Sequence, residues 1–239
     1  MDIRLNSSKL GTKEYWDKFY KTEHQNFRDH DDTGECWFDD SGAEDRMVQF
    51  IAEKIEEQAI TTNGNAPFKV LDLGTGNGHL LFALGDELEE LDVNAEYTGI
   101  DYSADSVQFA HHIAQEKYSL RQFTFQRVDL LSDDAFLSEK FDILLDKGTL
   151  DAIALNQEPL PQFDGRIGMQ VYSSQIEKLM HSDSIFLITS CNFTEEELTH
   201  LVTSGTLLEK WDRIEFPSFE FGGAKGSTVC SVAFRKGRE

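Results

Sequence analysis

Gly74, Gly76 and Gly78 stand two residues apart, directly after the apolar run Phe68-Lys69-Val70-Leu71-Asp72-Leu73. His79-Leu80-Leu81-Phe82-Ala83-Leu84 then resumes with helical spacing. Strand, tight turn and helix in that order open a βαβ unit, and glycines belong there when the backbone must come close to a ligand. The chemistry this predicts is binding of a nucleotide-like molecule, and carboxylates supply its partners. Asp101 ends the run Glu96-Tyr97-Thr98-Gly99-Ile100, and its two oxygens can accept both hydroxyls of a ribose. Asp129 ends the alternating run Phe123-Thr124-Phe125-Gln126-Arg127-Val128. With Leu130 after it, Asp129 is placed to accept a hydrogen bond from an adenine amine. Ligands of doubly wound sheets sit at the carboxyl ends of strands, where these acids would converge.

The spacing narrows the ligand. A dinucleotide fingerprint needs a third glycine at position 79, where His79 stands, and a phosphate loop needs a Lys-Ser or Lys-Thr pair that does not follow here. The pattern Asp72-x-Gly74-x-Gly76-x-Gly78 resembles instead the S-adenosylmethionine (SAM) loop of class I methyltransferases. A further strand, Phe141-Asp142-Ile143-Leu144-Leu145-Asp146, runs out on an acid. In such folds that edge faces the methyl donor and touches the acceptor. The short Asn-Pro-Pro-Tyr or Asp-Pro-Pro-Tyr motif of many base and glutamine methyltransferases is absent there, which removes one large class of acceptors.

Composition sets the frame around this site. The 239 residues suit one α/β domain with a decorated N-terminus, and 39% hydrophobic residues, with 18 Phe, can fill its core. Cys36, Cys191 and Cys230 form no metal-binding spacing and are expected as reduced thiols; no metal is expected. No apolar run approaches the roughly 20 residues that span a bilayer, and the N-terminus lacks a signal-peptide core, so a cytoplasmic protein is expected. The net charge of −22, from 44 acidic against 22 basic residues, repels phosphate backbones and steers towards basic partners.

Along the chain, Thr12 to Tyr20 has a helical pattern with Tyr15, Trp16, Phe19 and Tyr20 on one side. Residues 28 to 40 form an acidic loop in which Trp37 and Phe38 either plug the core or wall a pocket. Ser41 and Glu44 have the spacing of a capping box, predicting a helix start, with Met47, Phe50, Ile51 and Ile55 on its apolar stripe. A turn-rich stretch, Thr61 to Asn65, leads into the first strand. Helices are expected over about 77–88, 104–118 and 170–180, the second carrying His111 and His112, one half-buried and one facing solvent. Residues 152 to 164 are expected as a connection, and Ser184 to Cys191 as a buried strand. Thr194 and Glu197 form a second capping box. Strands 207–216 and 228–236 close the chain around a loop with Phe219, Phe221, Gly222 and Gly223. This predicts an α/β, Rossmann-like seven-stranded methyltransferase fold, mostly parallel with an antiparallel last strand. Residues 1–60 form a helical extension or lid packing on a 61–239 methyltransferase domain.

Several stretches are more selective than the glycine loop. They are Leu10-Gly11-Thr12-Lys13-Glu14-Tyr15-Trp16-Asp17, Gly34-Glu35-Cys36-Trp37-Phe38, Leu145-Asp146-Lys147-Gly148-Thr149-Leu150-Asp151-Ala152-Ile153, Ile188-Thr189-Ser190-Cys191-Asn192-Phe193-Thr194 and Phe219-Glu220-Phe221-Gly222-Gly223. Through them the chain resembles, over nearly its whole length, the eukaryotic translation elongation factor 1-alpha lysine methyltransferase family. Asp39-Asp40 departs from the Gly-Glu of many relatives. The resemblance implies SAM as methyl donor and S-adenosylhomocysteine as product. It also implies a lysine of elongation factor 1-alpha, a basic protein, as acceptor and a cytoplasmic setting; from the net charge no direct nucleic-acid partner is expected, and a monomer is expected.

The expected roles follow. Gly74, Gly76 and Gly78 surround the methionine portion and Asp72 holds its amino group. Asp101, with Tyr102, takes the ribose, Asp129 and Leu130 the adenine, and Trp37 one pocket side. Asp146 orients the incoming lysine. Two other classes stay open: a methyltransferase of a small amine or RNA, with the charge counting against RNA, and a non-catalytic trafficking or assembly module. The intact glycines and acids count against the latter.

Overall fold

A computed structural model describes residue 3 and residues 5–62, 64, 66–217, 219–221, 224–226 and 228–237. Of the sequence features above, Asn63, Asn65, Gly222 and Gly223 lie outside the described residues.

The apolar runs become a seven-stranded sheet. Its strands are β1 (Phe68–Leu73), β2 (Ala95–Asp101), β3 (Phe123–Arg127), β4 (Phe141–Lys147), β7 (Met180–Ser190), β8 (Leu208–Ile214) and β11 (Cys230–Lys236). They lie in the order β3-β2-β1-β4-β7-β11-β8. Pairing is parallel from β3 through β7, and β11 runs antiparallel to both of its neighbours. Two short pairs lie outside this sheet: β5 (Pro159–Leu160) with β6 (Arg166–Ile167), and β9 (Phe219–Phe221) with β10 (Ala224–Gly226). The expected 219–223 loop is thus partly a hairpin. Strand order reverses between β1 and β4, which opens a crevice beyond their carboxyl ends.

Helices cover both faces: α1 (Lys13–His30), α2 (Ala43–Glu56), α3 (His79–Glu90), α4 (Ala104–Lys117), α5 (Thr149–Ala154), α6 (Gly168–Lys178) and α7 (Glu195–Thr203). Val70, Ile143, Leu145, Ile185 and Leu187 turn to one face, beneath Leu81, Leu84, Leu88, Phe109 and Ile113 of α3 and α4. Leu71, Leu73, Leu144, Phe186 and Ile188 turn to the other, beneath Tyr172, Ile176 and Leu198. This is the period-2 alternation of strands buried on both sides.

The N-terminal helices share the first of these cores. Tyr20 and Phe27 of α1 and Met47, Phe50 and Ile51 of α2 are buried in the same cluster as Val70 and Leu81. Helix α1 continues well past the aromatic stretch. Thr12 caps its start, and His24 Nε2 meets His112 Nδ1 of α4 at 3.0 Å between the Phe27 and Phe109 rings. Both His111 and His112 are half-buried, so neither simply faces solvent.

Two local expectations fail for physical reasons. Ser41 does not cap α2. A one-turn helix over Asp39–Ser41 intervenes, the Ser41 hydroxyl donates to the Phe38 carbonyl at 2.7 Å, and Gly42, left-handed at φ 60°, is the N-cap. Residues 149–154, part of which was expected as connection, form α5. Its six residues are too few to show a period, and its start is fixed by a carboxylate three residues upstream. Asp146 accepts from the amides of Thr149 at 2.8 Å and Leu150 at 3.1 Å, and the Tyr172 hydroxyl donates to its Oδ2. By contrast, the Thr194–Glu197 capping box forms as expected, with both reciprocal bonds.

Asp146 and Tyr172 are both fully buried. Truncation of Asp146 to Ala therefore removes the acceptor for the first amides of α5 and strands a buried phenol. Asp146→Ala is expected to lower unfolding free energy by about 2–4 kcal/mol in urea denaturation.

Candidate active site

The crevice at the β1/β4 reversal is a cavity of about 290 Å³. Its floor is the turn after β1. Gly74, Gly76 and Gly78 have φ of 64°, 58° and 84°, a conformation that costs a side-chain-bearing residue roughly 1–2 kcal/mol. The space they leave is filled by the chain itself. A Cβ at Gly74 would run into the Thr149 side chain, and one at Gly76 would sit 2.5 Å from the Tyr20 hydroxyl. Gly74 and Gly76 line the cavity; Gly78, packed against Phe82 and Phe125 at the start of α3, does not. Two of the three glycines thus meet the cavity, and they are needed first to let Thr149 and Tyr20 close over the turn.

Asp72, Asp101 and Asp129 all line the cavity, as do Tyr102, Leu130 and Trp37. Asp101 is 6% exposed; its Oδ1 accepts from the Ser103 amide at 2.8 Å and its Oδ2 from the Gly76 amide at 3.2 Å. Each oxygen keeps a lone pair for a ligand hydroxyl. Ser103, meanwhile, caps α4 through Ser106, so Asp101 is not required as the cap. Burial raises the Asp101 carboxyl above its ordinary range, against the amides of Ser103 and Gly76. Asp72 is 3% exposed, and burial pushes it up to about 7 despite the Thr75 hydroxyl and the nearby Lys147. Asp129 is half-buried; it accepts from the Leu131 amide at 3.0 Å and the Ser132 hydroxyl at 2.7 Å, shaping the turn after β3.

The roof comes from the N-terminal segment. Trp16 and Tyr20 of α1 line the cavity with Trp37 and Phe38, the Trp16 and Trp37 rings meeting edge-on at 5.5 Å. The two aromatics of the acidic loop are therefore pocket wall rather than core plug. The segment is tied down from below. Asn77 Nδ2 donates to the carbonyls of Thr33 at 2.9 Å and Glu35 at 3.0 Å, and Lys147 Nζ donates to the Trp37 carbonyl at 2.9 Å.

The structure corrects the role expected of Asp146. Its oxygens are turned into the protein, capping α5 and accepting from Tyr172, and it does not line the cavity. Burial pushes it up to about 7. Of the two acids in this stretch, Asp151 is the one that lines the cavity. It is 5% exposed and lines the cavity beside Cys191 and Asn192, accepting from the Ser190 hydroxyl at 2.5 Å and the Cys191 amide at 2.9 Å. Asp151 lies in the same stretch as Asp146, but only the turn through α5 shows which of the two lines the cavity. Asn77, Lys147, Thr149 and Tyr20 are further site residues to which the motif reading gave no role.

Burial pushes the Cys36 thiol up to about 11 and Cys230 up to about 12, and Cys191, exposed at its surface, is pushed up to about 12 by partial burial and the neighbouring Asp151, so none is favoured as a thiolate. Cys36, Glu44 and His79 each bring one donor atom within 4.8 Å of the others. Lys147 Nζ already lies 3.4 Å from Glu44 Oε2 and 3.8 Å from Cys36 Sγ, so the chain itself supplies the positive charge that a cation would bring.

Residues 65–223 match the model of the family described as a methyltransferase domain. The chain is 44% identical over 234 residues to protein-lysine N-methyltransferase EFM4 of Saccharomyces cerevisiae, covering 97% of this chain and 96% of that protein. It is 36% identical over 230 residues to EEF1A lysine methyltransferase 2 of Homo sapiens, covering 96% and 87%. The chain belongs to this methyltransferase family. The magnesium protoporphyrin IX methyltransferase of Synechocystis PCC 6803, solved with bound SAM, shares the fold at TM-score 0.53 and 16% identity, covering 91% of this chain and 97% of that one.

This methyltransferase is SAM-dependent, and the cavity residues fit that molecule. Acids stand at three successive strand ends, lone pairs remain on Asp101, and the buried Trp37 Nε1 has no hydrogen-bond partner among the described residues. Asp72 is the group suited to the cationic amine of the methionine end, and that bond requires its ionised form. Because the carboxyl sits near 7, it is ionised above that pH and protonated below. SAM affinity is expected to fall by up to about tenfold per pH unit below pH 7. In calorimetric titrations, Asp72→Asn should bind more weakly and lose this dependence.

Proposed function

We propose that this enzyme methylates the ε-amine of a lysine on translation elongation factor 1A, and that it does so in the cytoplasm. The observation that carries this is the near-end-to-end match, at 34–44% identity, with five proteins named as protein-lysine or EEF1A lysine methyltransferases. Excess acidic charge, 44 against 22, favours encounter with a basic protein and disfavours nucleic acid. No helix among the described residues is long and apolar enough to cross a membrane.

Bound SAM supplies a methyl group activated by its sulfonium. The protein has to deliver a neutral amine in line with it. At neutral pH only about one lysine in 2,500 is unprotonated, a deficit of roughly 4.6 kcal/mol. Trp16, Trp37 and Phe38 wall the cavity, exclude water and lower the amine's pKa by desolvation. Asp151 is the orienting acid in this reading. It anchors the end of β7 through Ser190 and Cys191, sets Asn192 beside the cavity, and offers a carboxylate that burial raises towards proton acceptance. Asp101 with Tyr102 would hold the ribose, Asp129 and Leu130 the adenine, and Gly74 and Gly76 the methionine end.

Asp101→Ala is expected to abolish measurable SAM binding in calorimetry; normal binding by this variant overturns the ribose assignment. Asp151→Asn should retain SAM binding while lowering kcat by about a hundredfold or more. Intact-mass analysis of elongation factor 1A incubated with enzyme and SAM should show steps of one methyl; no gain would overturn the acceptor.

A further inference from the structure

We propose that Lys147 is a positioning residue for this site, resting on the placement of SAM in the cavity: it latches the segment 33–42 across the cofactor as a closing strap. Lys147 is the last residue of β4, and its side chain is only 11% exposed. Among the described residues its ammonium makes three polar contacts, all to the strap or to the helix that follows it. These are the Trp37 carbonyl at 2.9 Å, the Glu44 carboxylate at 3.4 Å and the Cys36 sulphur at 3.8 Å. The Cys36 thiol, kept protonated by burial, donates to the same Glu44 carboxylate at 3.3 Å, so the ion pair that closes this contact is Lys147 with Glu44.

The neighbouring residue receives the strap's ring. Gly148 is left-handed at φ 88°, and a Cβ there would lie 3.2 Å from the Phe38 ring. Lys147 thus grips the backbone of the strap while Gly148 makes room for its aromatic side chain. Left-handed residues punctuate the segment: Asp31 just before it, then Gly34, Phe38 and Gly42. Such a run turns on a few backbone positions rather than continuing a helix or strand. Apart from the one-turn helix over Asp39–Ser41, the strap is attached through side chains: Asn77 to Thr33 and Glu35, His79 to Thr33 at 3.2 Å, Glu23 accepting from the Glu35 amide at 3.2 Å, the Trp37 ring against Trp16 and Phe19, and Lys147. The strap carries Trp37 and Phe38, and both line the cavity. If it is held closed only part of the time, SAM affinity falls in proportion to the closed fraction, whereas saturating SAM restores the closed form. Loss of the latch therefore acts on KM for SAM more than on kcat.

The test is Lys147→Met, which keeps the apolar stem and removes the charge. It is studied at about pH 8.5 so that the loss of Lys147 beside Asp72 does not itself protonate that acid. Expected are a KM and a calorimetric Kd for SAM raised by about ten- to a hundredfold, with a much smaller fall in kcat. In hydrogen–deuterium exchange without SAM, amides of 33–42 should exchange at least about tenfold faster, with β1 and β4 unchanged. Unchanged strap exchange, or a fall in kcat with unchanged KM, overturns the proposal. Should Lys147→Met not fold, Glu44→Gln must give the same split with a smaller amplitude, and no effect there also overturns it. The placement of SAM is judged separately: wild-type 33–42 amides should gain protection when SAM is added, and failure to do so overturns that placement rather than the latch.

Discussion

The buried carboxylate of Asp146 is the constraint on which the rest of the site depends. An ionisable group with no exposure is tolerated only because it caps α5 and takes the Tyr172 hydroxyl. Those bonds force the chain to turn sharply after β4. Four residues of the turn then meet different parts of the site. Lys147 reaches the strap, Gly148 receives Phe38, the Thr149 hydroxyl donates to the Leu73 carbonyl at 2.5 Å and fills the space over Gly74, and Asp151 holds the end of β7. A single capped turn thereby ties together the loop after β1, the N-terminal segment and the acceptor side.

The site is also built around carboxylates that burial holds above their ordinary range. Asp72, Asp101 and Asp151 are each nearly enclosed, and burial is the largest cause of the shift in all three. Hydrogen bonds from hydroxyls and amides oppose that shift without removing it. Such groups gain from a bound cation or hydroxyl, which makes binding and protonation interdependent in this family member.

Much of this was legible in the chain. The strand-to-helix turn, the acid-ended strands, the seven-stranded sheet with its antiparallel last strand and the Thr194–Glu197 cap all follow from local signals, because period and capping chemistry act over a few residues. Helix α5 was not legible, since six residues show no periodicity and the cap lies in the preceding strand. The start of α2 was misplaced, because a left-handed Gly42 rather than the Ser41 hydroxyl ends the preceding turn. Asp146 and Asp151 both carry the right chemistry for an acceptor site, and only their directions separate them.

What the sequence determined by itself was the ligand class and the fold. Glycine spacing, strand-end acids and alternation are chemical and periodic facts that hold in any packing. Which groups line the cavity, by contrast, depended on the folded arrangement. Side chains remote in sequence, such as Tyr20 over Gly76, Trp16 against Trp37 and Lys147 under Trp37, are brought together by the sheet and the helices upon it. The direction of a carboxylate depends on its donors. For Asp146 those donors lie on α5 and α6; for Asp151 they are the last residue of β7 and the one after it, about 40 residues away.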